Sequence, residues 1–234
     1  MDRRHRVSLR QAVIVEGPPA MIEPADSRFD PEARRADLRR RVFLDVLRSL
    51  VAINGVTISV LATPRLQARS FAAVVPPGVD LVVPAAEVLA REGALFWAFR
   101  THLERAFVHV VAVAGDTLAL PARAVATGLS SLANADLVAG ATPEGALFLL
   151  GVRDEVGLAL CRESGASTGF ANVSAAMVRD AAAQRRVTVR WVDRQSRLGT
   201  VLAGERADYR LDRDPGQTSP TDEWSGSLSP AAGL

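Results

Sequence analysis

The chain has 234 residues, of which 48% are hydrophobic and 23% charged, proportions of a globular domain and not of a disordered or fibrous chain. With 28 basic against 26 acidic residues the formal charge is only +2, and the 5% of aromatic residues do not interleave with basic ones, so neither footprint of a nucleic-acid binder is present. One cysteine excludes an internal disulfide and a Cys-rich metal site, and no apolar run approaches the ~20 residues of a membrane span.

Residues 1–10 open the chain as a charged extension, Met1-Asp-Arg-Arg-His-Arg. No signal-like apolar region follows, so a cytoplasmic protein is expected. Ala12-Val-Ile-Val15 is a short continuous apolar run, the mark of a parallel strand buried on both faces. A loop rich in Pro, Glu and Asp then leads to Asp30-Pro31, a capping aspartate with proline at the first helical position. Leu38, Val42, Phe43, Val46, Leu47 and Leu50 recur at helical spacing, and Asn54-Gly55 closes the helix. Arg34, Arg35, Arg39 and Arg41 lie mostly off that stripe. Glu32, Asp37 and Asp45 interleave with them, which describes a solvated face better than a phosphate patch.

Val56–Leu61 is a second strand, residues 65–75 a helix or helical turn, and Val79–Val83 a third strand. A helix is expected over 91–106, with Leu95, Phe96, Phe99 and Leu103 on its apolar side. Val108–Ala114 is the most buried-looking strand. A helix from Pro121 to about Ala133, two strands at 137–139 and 147–152, a helix at 174–185 and a strand at 187–192 follow. This alternation predicts an α/β class, a three-layer α/β/α sandwich with a mainly parallel central sheet. One domain over 11–210 is expected, and 211–234, rich in Asp, Pro, Gly, Ser and Thr, reads as a disordered tail.

Chemistry concentrates where the apolar strand ends in Gly115-Asp116. A strand's C-terminal end delivers its next side chain to the sheet's carboxyl edge, where open α/β sheets bind ligands. Asp116 is therefore a candidate ligand of Mg²⁺ or Mn²⁺ bridging a diphosphate, although Gly-Asp equally makes a plain turn. Thr142-Pro-Glu-Gly145 offers Glu144 as a second carboxylate, or simply a hairpin or crossover turn. Ser27 and Arg28 end the loop after the first strand, the usual place for phosphate contacts, or else Arg28 is only solvated. His5, His102 and His109 have no Ser, Cys or Asp partner at a recognisable spacing, and Cys161 sits in an apolar context expected to leave its thiol inert. A Gly-x-Gly-x-x-Gly fingerprint and a Walker loop are both lacking.

Two motifs carry a resemblance. Ala114-Gly-Asp116-Thr-Leu-Ala-Leu120 and Asp136-Leu-Val-Ala-Gly140-Ala-Thr-Pro-Glu144-Gly145-Ala-Leu-Phe-Leu-Leu-Gly151 resemble a family of small bacterial glycosyltransferase-like proteins. These have the GT-A, nucleotide-diphospho-sugar transferase fold, and some are named as arsenosugar-biosynthesis glycosyltransferases. The family's pattern is Gly-Ser-Asp-x-Pro-x-Leu, then Asp-Val-Val-Leu-Gly-Pro running into Asp-Gly-Gly-Tyr-Tyr-Leu-Ile-Gly. Asp116, Leu120, Asp136, Gly140, Gly145, Leu149 and Gly151 match it. Leu118 stands in place of the family's proline, Phe148 in place of a tyrosine and Glu144 in place of an aspartate.

The resemblance covers most of the chain apart from its tail. It implies a nucleotide-sugar donor, an acceptor, and a Mg²⁺ or Mn²⁺ cofactor held by Asp116. Asp116 and Glu144 would be the catalytic pair, with Ser27, Arg28, Gly115 and Gly145 on the nucleotide. The family's first loop, Pro-x-x-Gly-x-x-Lys-Thr-Arg-Leu, is a basic cradle for the diphosphate. Here Met21–Phe29 keeps Ser27, Arg28 and an apolar residue, but Glu23 replaces the glycine and Asp26 the lysine. An anion in place of a cation reverses a Coulomb term of several kcal/mol, before screening, at ~4 Å and an effective dielectric of ~20. The family's Leu-Gly-Glu-Arg segment stands as Glu92-Gly93-Ala94-Leu95. A non-catalytic binding or regulatory protein on the same fold is the alternative expectation, and a nucleotidyltransferase of the 2-phospho-lactate guanylyltransferase type, which would need a basic first loop, a further one.

Overall fold

A seven-stranded sheet runs through the molecule in the order β3-β2-β1-β4-β6-β5-β7. The computed structural model describes residues 10–18, 31–62 and 71–192. The terminal extension, the first loop with Ser27 and Arg28, most of the helical turn expected at 65–75 and the tail lie outside the described residues. The strands are β1 (Gln11–Glu16), β2 (Val56–Leu61), β3 (Asp80–Val82), β4 (His109–Ala114), β5 (Leu137–Ala141), β6 (Leu147–Val152) and β7 (Val189–Trp191). β1 pairs in parallel with β2 and β4, β2 with β3, and β5 with β7.

β6 alone runs the other way, against both β4 and β5. The five residues between β5 and β6 are too few for a parallel crossover, which needs a dozen or more. They form a hairpin instead, in which Thr142 N–H donates to the Ala146 carbonyl at 2.7 Å and Gly145 N–H to the Thr142 carbonyl at 3.0 Å. Of the two readings left open for Thr142–Gly145, the hairpin is the one observed.

Helices cover both faces. α1 (Pro31–Val51) and α4 (Ala122–Ser131) lie on one, where Phe43, Val46, Leu47, Val125 and Leu129 pack on Val13, Val15, Val111 and Val113. α3 (Ala94–Glu104), α5 (Glu155–Glu163) and α6 (Ala175–Arg185) lie on the other, against Ala12, Ile14, Val110 and Ala112. Alternation along β1 and β4 thus feeds two cores, as strands buried on both faces require. On the solvent side of α1, Arg41 pairs with Asp37 at 2.6 Å and Arg48 with Asp45 at 2.7 Å.

One helical expectation is corrected by the structure. The helix expected over 91–106 is two helices, α2 (Ala86–Glu92) and α3, broken at Gly93. Gly93 has φ +82°, and a Cβ there would stand 2.4 Å from the Ser167 carbonyl oxygen, so only glycine fits the junction. Glu92, at its edge, is forked by Arg100 at 2.8 and 3.0 Å and held by Arg91 at 3.1 Å. Burial raises its carboxyl, and the two guanidiniums outweigh that and lower it. α5 was not anticipated at all. Its cap is Asp154, whose carboxylate accepts from the N–H groups of Val156 and Gly157 at 3.0 and 3.1 Å.

Cys161 is fully buried in α5, and burial pushes its thiol up to about 12, as befits an inert side chain. Two histidines are buried as well. His102 Nδ1–H donates to the Ala98 carbonyl at 2.7 Å, which can only accept, so Nε2 accepts from the Ser59 hydroxyl at 3.0 Å. This partner, 43 residues away, was invisible as a spacing. Ser59 is only 1% exposed in the middle of β2, so the pair is a core hydrogen bond and not a nucleophile with its base. His109 Nδ1 accepts from Gln11 at 3.2 Å.

Desolvation lowers both histidines below their ordinary value, with Arg105 and Arg153 respectively adding to it. A histidine that protonates less readily folded than unfolded favours folding above its unfolded pKa. That stability is lost as pH falls through about 6.5 toward the lower folded value. Urea unfolding between pH 7.5 and 5.5 is expected to show stability declining by up to about 1.4 kcal/mol per pH unit for each histidine. A His102→Gln variant should show a shallower decline.

Candidate functional site

β1, β2, β4 and β5 share a direction, so their C-terminal ends form one edge of the sheet, and β6 begins there. At that edge the chain leaves β4 in a tight turn. Gly115 N–H donates to the Glu16 carbonyl at 2.9 Å, while the Thr117 N–H and hydroxyl both donate to the Ala114 carbonyl, at 3.1 and 2.7 Å. Asp116 is held in this turn and is only 7% exposed. The turn reading and the edge reading of Gly115-Asp116 therefore describe one arrangement: the turn sets Asp116 at the sheet's carboxyl edge.

Gly115 is a packing necessity. A Cβ there would lie 2.4 Å from the Glu16 carbonyl oxygen and 2.8 Å from the Phe43 ring. No ligand is needed to explain it.

The β5–β6 hairpin stands on the same edge. β4 and β6 pair Val113 with Leu149, so the end of β4 and the start of β6 lie side by side. Glu144 is exposed in the hairpin turn. Gly145 turns the chain with φ +91° and open space around its Cα, and Thr142 Oγ1 accepts from Ala146 N–H at 3.2 Å. The structure thus places Asp116, Glu144, Gly115 and Gly145 at one sheet edge. Ser27 and Arg28 lie outside the described residues.

Asp136, which also matches the family motif, is at the opposite end of β5. Its carboxylate accepts from Arg153 at 2.9 Å and from Thr188 N–H at 3.0 Å, which ties β5, β6 and β7 together away from the candidate site. Gly140 and Gly151 are likewise internal. A Cβ on Gly140 would meet Phe148 at 2.5 Å, and one on Gly151 would meet Val111 at 2.9 Å. Much of the motif is thus explained by the fold.

Sequence reasoning missed Glu16. Its backbone is paired to Gly115, and its carboxylate accepts from the N–H of Phe170 at 3.0 Å, 154 residues along the chain. The only local signal was an acidic residue closing an apolar strand.

Among the described residues no group of three His, Cys, Asp or Glu side chains is gathered for a metal ion. Asp116 supplies one carboxylate at an edge. That suits a hard divalent cation that arrives with phosphate oxygens and water as its other ligands, the usual habit of Mg²⁺, and does not suit a cage made wholly of these residues. No helix among the described residues is long and apolar enough to cross a membrane.

No family model matches the chain, and no curated protein is similar to it in sequence. Solved structures are similar in fold. One, from Desulfovibrio desulfuricans G20, is provisionally named a nucleotide-diphospho-sugar transferase; it superimposes with a TM-score of 0.60 at 16% identity, covering 86% of this chain and 90% of that one. The fold is that of the nucleotide-diphospho-sugar transferases. A Mycobacterium sp. strain JC1 homologue of Mycobacterium tuberculosis Rv0371c gives 0.48 at 15% identity, covering 82% and 90%. A 4-diphosphocytidyl-2C-methyl-D-erythritol synthase from Anaerococcus prevotii DSM 20548 gives 0.49 at 9%, covering 81% and 88%.

Proposed function

We propose that this protein is a glycosyltransferase-like enzyme that binds a nucleotide-sugar at the sheet's carboxyl edge. The observation that carries the reading is Asp116, a carboxylate 7% exposed in the turn that ends β4, on a fold shared with nucleotide-diphospho-sugar transferases. A Mg²⁺ or Mn²⁺ ion bound with the donor would neutralise charge on the leaving diphosphate, and Asp116 is the residue that would hold it. Gly115 and Gly145 would let backbone approach the nucleotide, and Ser27 and Arg28 would contact its phosphates.

In the transfer, the bond from the sugar's anomeric carbon to the diphosphate oxygen breaks and a bond from the acceptor oxygen to that carbon forms. The acceptor's proton passes to Glu144, whose exposed position on the hairpin can face an incoming acceptor. Nucleoside diphosphate leaves with the bonding electron pair.

A second reading, a binding or regulatory protein on the same fold, is favoured by one observation. Glu23 and Asp26 stand where a basic cradle would bind the diphosphate, and like charge opposes binding there. Calorimetry with UDP-, GDP- and ADP-sugars, with and without Mn²⁺, separates the two. Binding of one donor, strengthened by Mn²⁺, is expected. Absence of binding to all three would sink the transferase reading. Asp26→Lys should tighten the affinity by roughly tenfold or more, the direction set by removing one anion and adding one cation beside the diphosphate.

A further inference from the structure

Residues 165–175 cross the carboxyl edge as a strap. They include two short 3₁₀ turns, Ala166–Thr168 and Phe170–Asn172, and lead into α6. At one end the strap meets β1, where the Glu16 carboxylate accepts from Phe170 N–H. The neighbouring Gly169 has φ +137°, and a Cβ there would lie 2.0 Å from Glu16 Oε1. The backbone thus closes on this carboxylate more tightly than any side-chain-bearing residue permits.

At its other end the strap is stitched to the β5–β6 hairpin. Ala175 N–H donates to the Gly145 carbonyl at 2.8 Å, Leu147 N–H to the Val173 carbonyl at 3.3 Å, and Ala146 bridges Ser174. The strap therefore connects the end of β1 to the hairpin that carries Glu144. Phe170 and Val173 are buried beneath it at 1% and 4% exposure. Apolar packing thus holds the strap to the core, and the Glu16 bond fixes where it sits.

We infer that Glu16 is a positioning residue: its carboxylate anchors the strap, and through the strap sets the hairpin of Glu144 and Gly145 relative to Asp116. The anchoring stands on geometry alone. Its consequence for ligand binding rests on the transferase reading of the same edge.

The test is amide hydrogen exchange on the full chain, followed by donor affinity. In Glu16→Ala the Phe170 amide and those of Leu147 and Ala175 should exchange about tenfold or more faster, as loss of a hydrogen bond to a charged acceptor implies. Amides of β2 and α4 should be unchanged. Glu16→Gln keeps an acceptor oxygen at the same reach and should restore most of the protection, while Glu16→Asp, one methylene shorter, should not. Gly169→Ala places a methyl on the carboxylate and, with the added strain of its φ +137° backbone, should loosen the strap at least as much as Glu16→Ala.

Unchanged strap exchange in Glu16→Ala and Gly169→Ala, or failure of Glu16→Gln to restore it, overturns the anchor. If the strap loosens and donor affinity in the presence of Mn²⁺ stays within twofold of wild type, the positioning role is overturned while the anchor stands. A wild-type protein that binds no donor counts against the transferase reading, and the exchange results still decide the anchor.

Discussion

Gly115→Ala is expected to destabilise the protein by about 3 kcal/mol, near the upper end for overpacking a core. The added methyl has nowhere to go. It would stand 2.4 Å from a backbone oxygen, the Glu16 carbonyl, and 2.8 Å from the Phe43 ring. That carbonyl already accepts the Gly115 N–H at 2.9 Å, so relief requires β1 and β4 to part at the centre of the sheet. Phe43 cannot yield either, being fully buried among Val46, Leu47 and Phe71. For a chain of this size such a loss lowers Tm by roughly 6–12 °C.

Gly128→Ala is the control. Its Cβ would meet Val138 and Leu149 at 3.6–3.8 Å, ordinary contact, inside α4. It should be neutral or raise stability by about 0.5–1 kcal/mol, since alanine suits a helix interior better than glycine. Thermal unfolding of both variants checks the pair; a Tm within 2 °C of wild type for Gly115→Ala would mean that the strand junction is not as tight as described.

The second large effect concerns ligand binding. Asp116→Asn keeps the size of the side chain and removes its charge. If the carboxylate holds the cation that carries the diphosphate, donor affinity in Mn²⁺ should fall by about 30-fold or more, equivalent to about 2 kcal/mol, the lower range for losing one partner of a close charge pair. The stimulation by Mn²⁺ should vanish with it. Affinity measured in chelator should hardly change, because the lost interaction runs through the metal. Glu144→Gln should leave binding nearly intact and slow turnover, since its exposed side chain is assigned to the acceptor's proton.

The elements that sequence pattern located well are those whose burial is complete. Ala12–Val15 and Val110–Ala114 are continuous apolar runs because helices cover both faces of β1 and β4, and the stripe on α1 marks its packed side. What the pattern missed depends on contacts between distant segments. The direction of β6 follows from a five-residue hairpin, and Thr142-Pro-Glu-Gly145 was compatible with either connection.

The break at Gly93 is fixed by the approach of Ser167, 74 positions away, and the glycine by itself does not distinguish a break from a tolerated helical glycine. α5 is different. Asp154 followed by Glu155 and the apolar Val156, Leu158, Leu160 and Cys161 was a legible start signal that was passed over. At the candidate site, the placing of Asp116 at a strand end and of Glu144 in a turn was legible because strand ends and turn residues are local features. Glu16 could not, because its role exists only once Phe170 folds back over β1.

The family motif divides along the same line. Gly140, Gly145, Gly151 and Asp136 have reasons in packing, turn geometry or an ion pair, so their match to the motif speaks for the fold. Asp116 is the matching motif residue to which metal binding is assigned.

The central claim, that Asp116 marks a site for a metal-bound nucleotide diphosphate, is tested most directly by diffraction from crystals grown with Mn²⁺ and a nucleoside diphosphate. The expected result is an anomalous manganese peak within about 2.3 Å of an Asp116 carboxylate oxygen, with the diphosphate bridging the ion at the ends of β1 and β4. A nucleotide bound with its diphosphate elsewhere, or bound at this edge with no metal at Asp116, would contradict it.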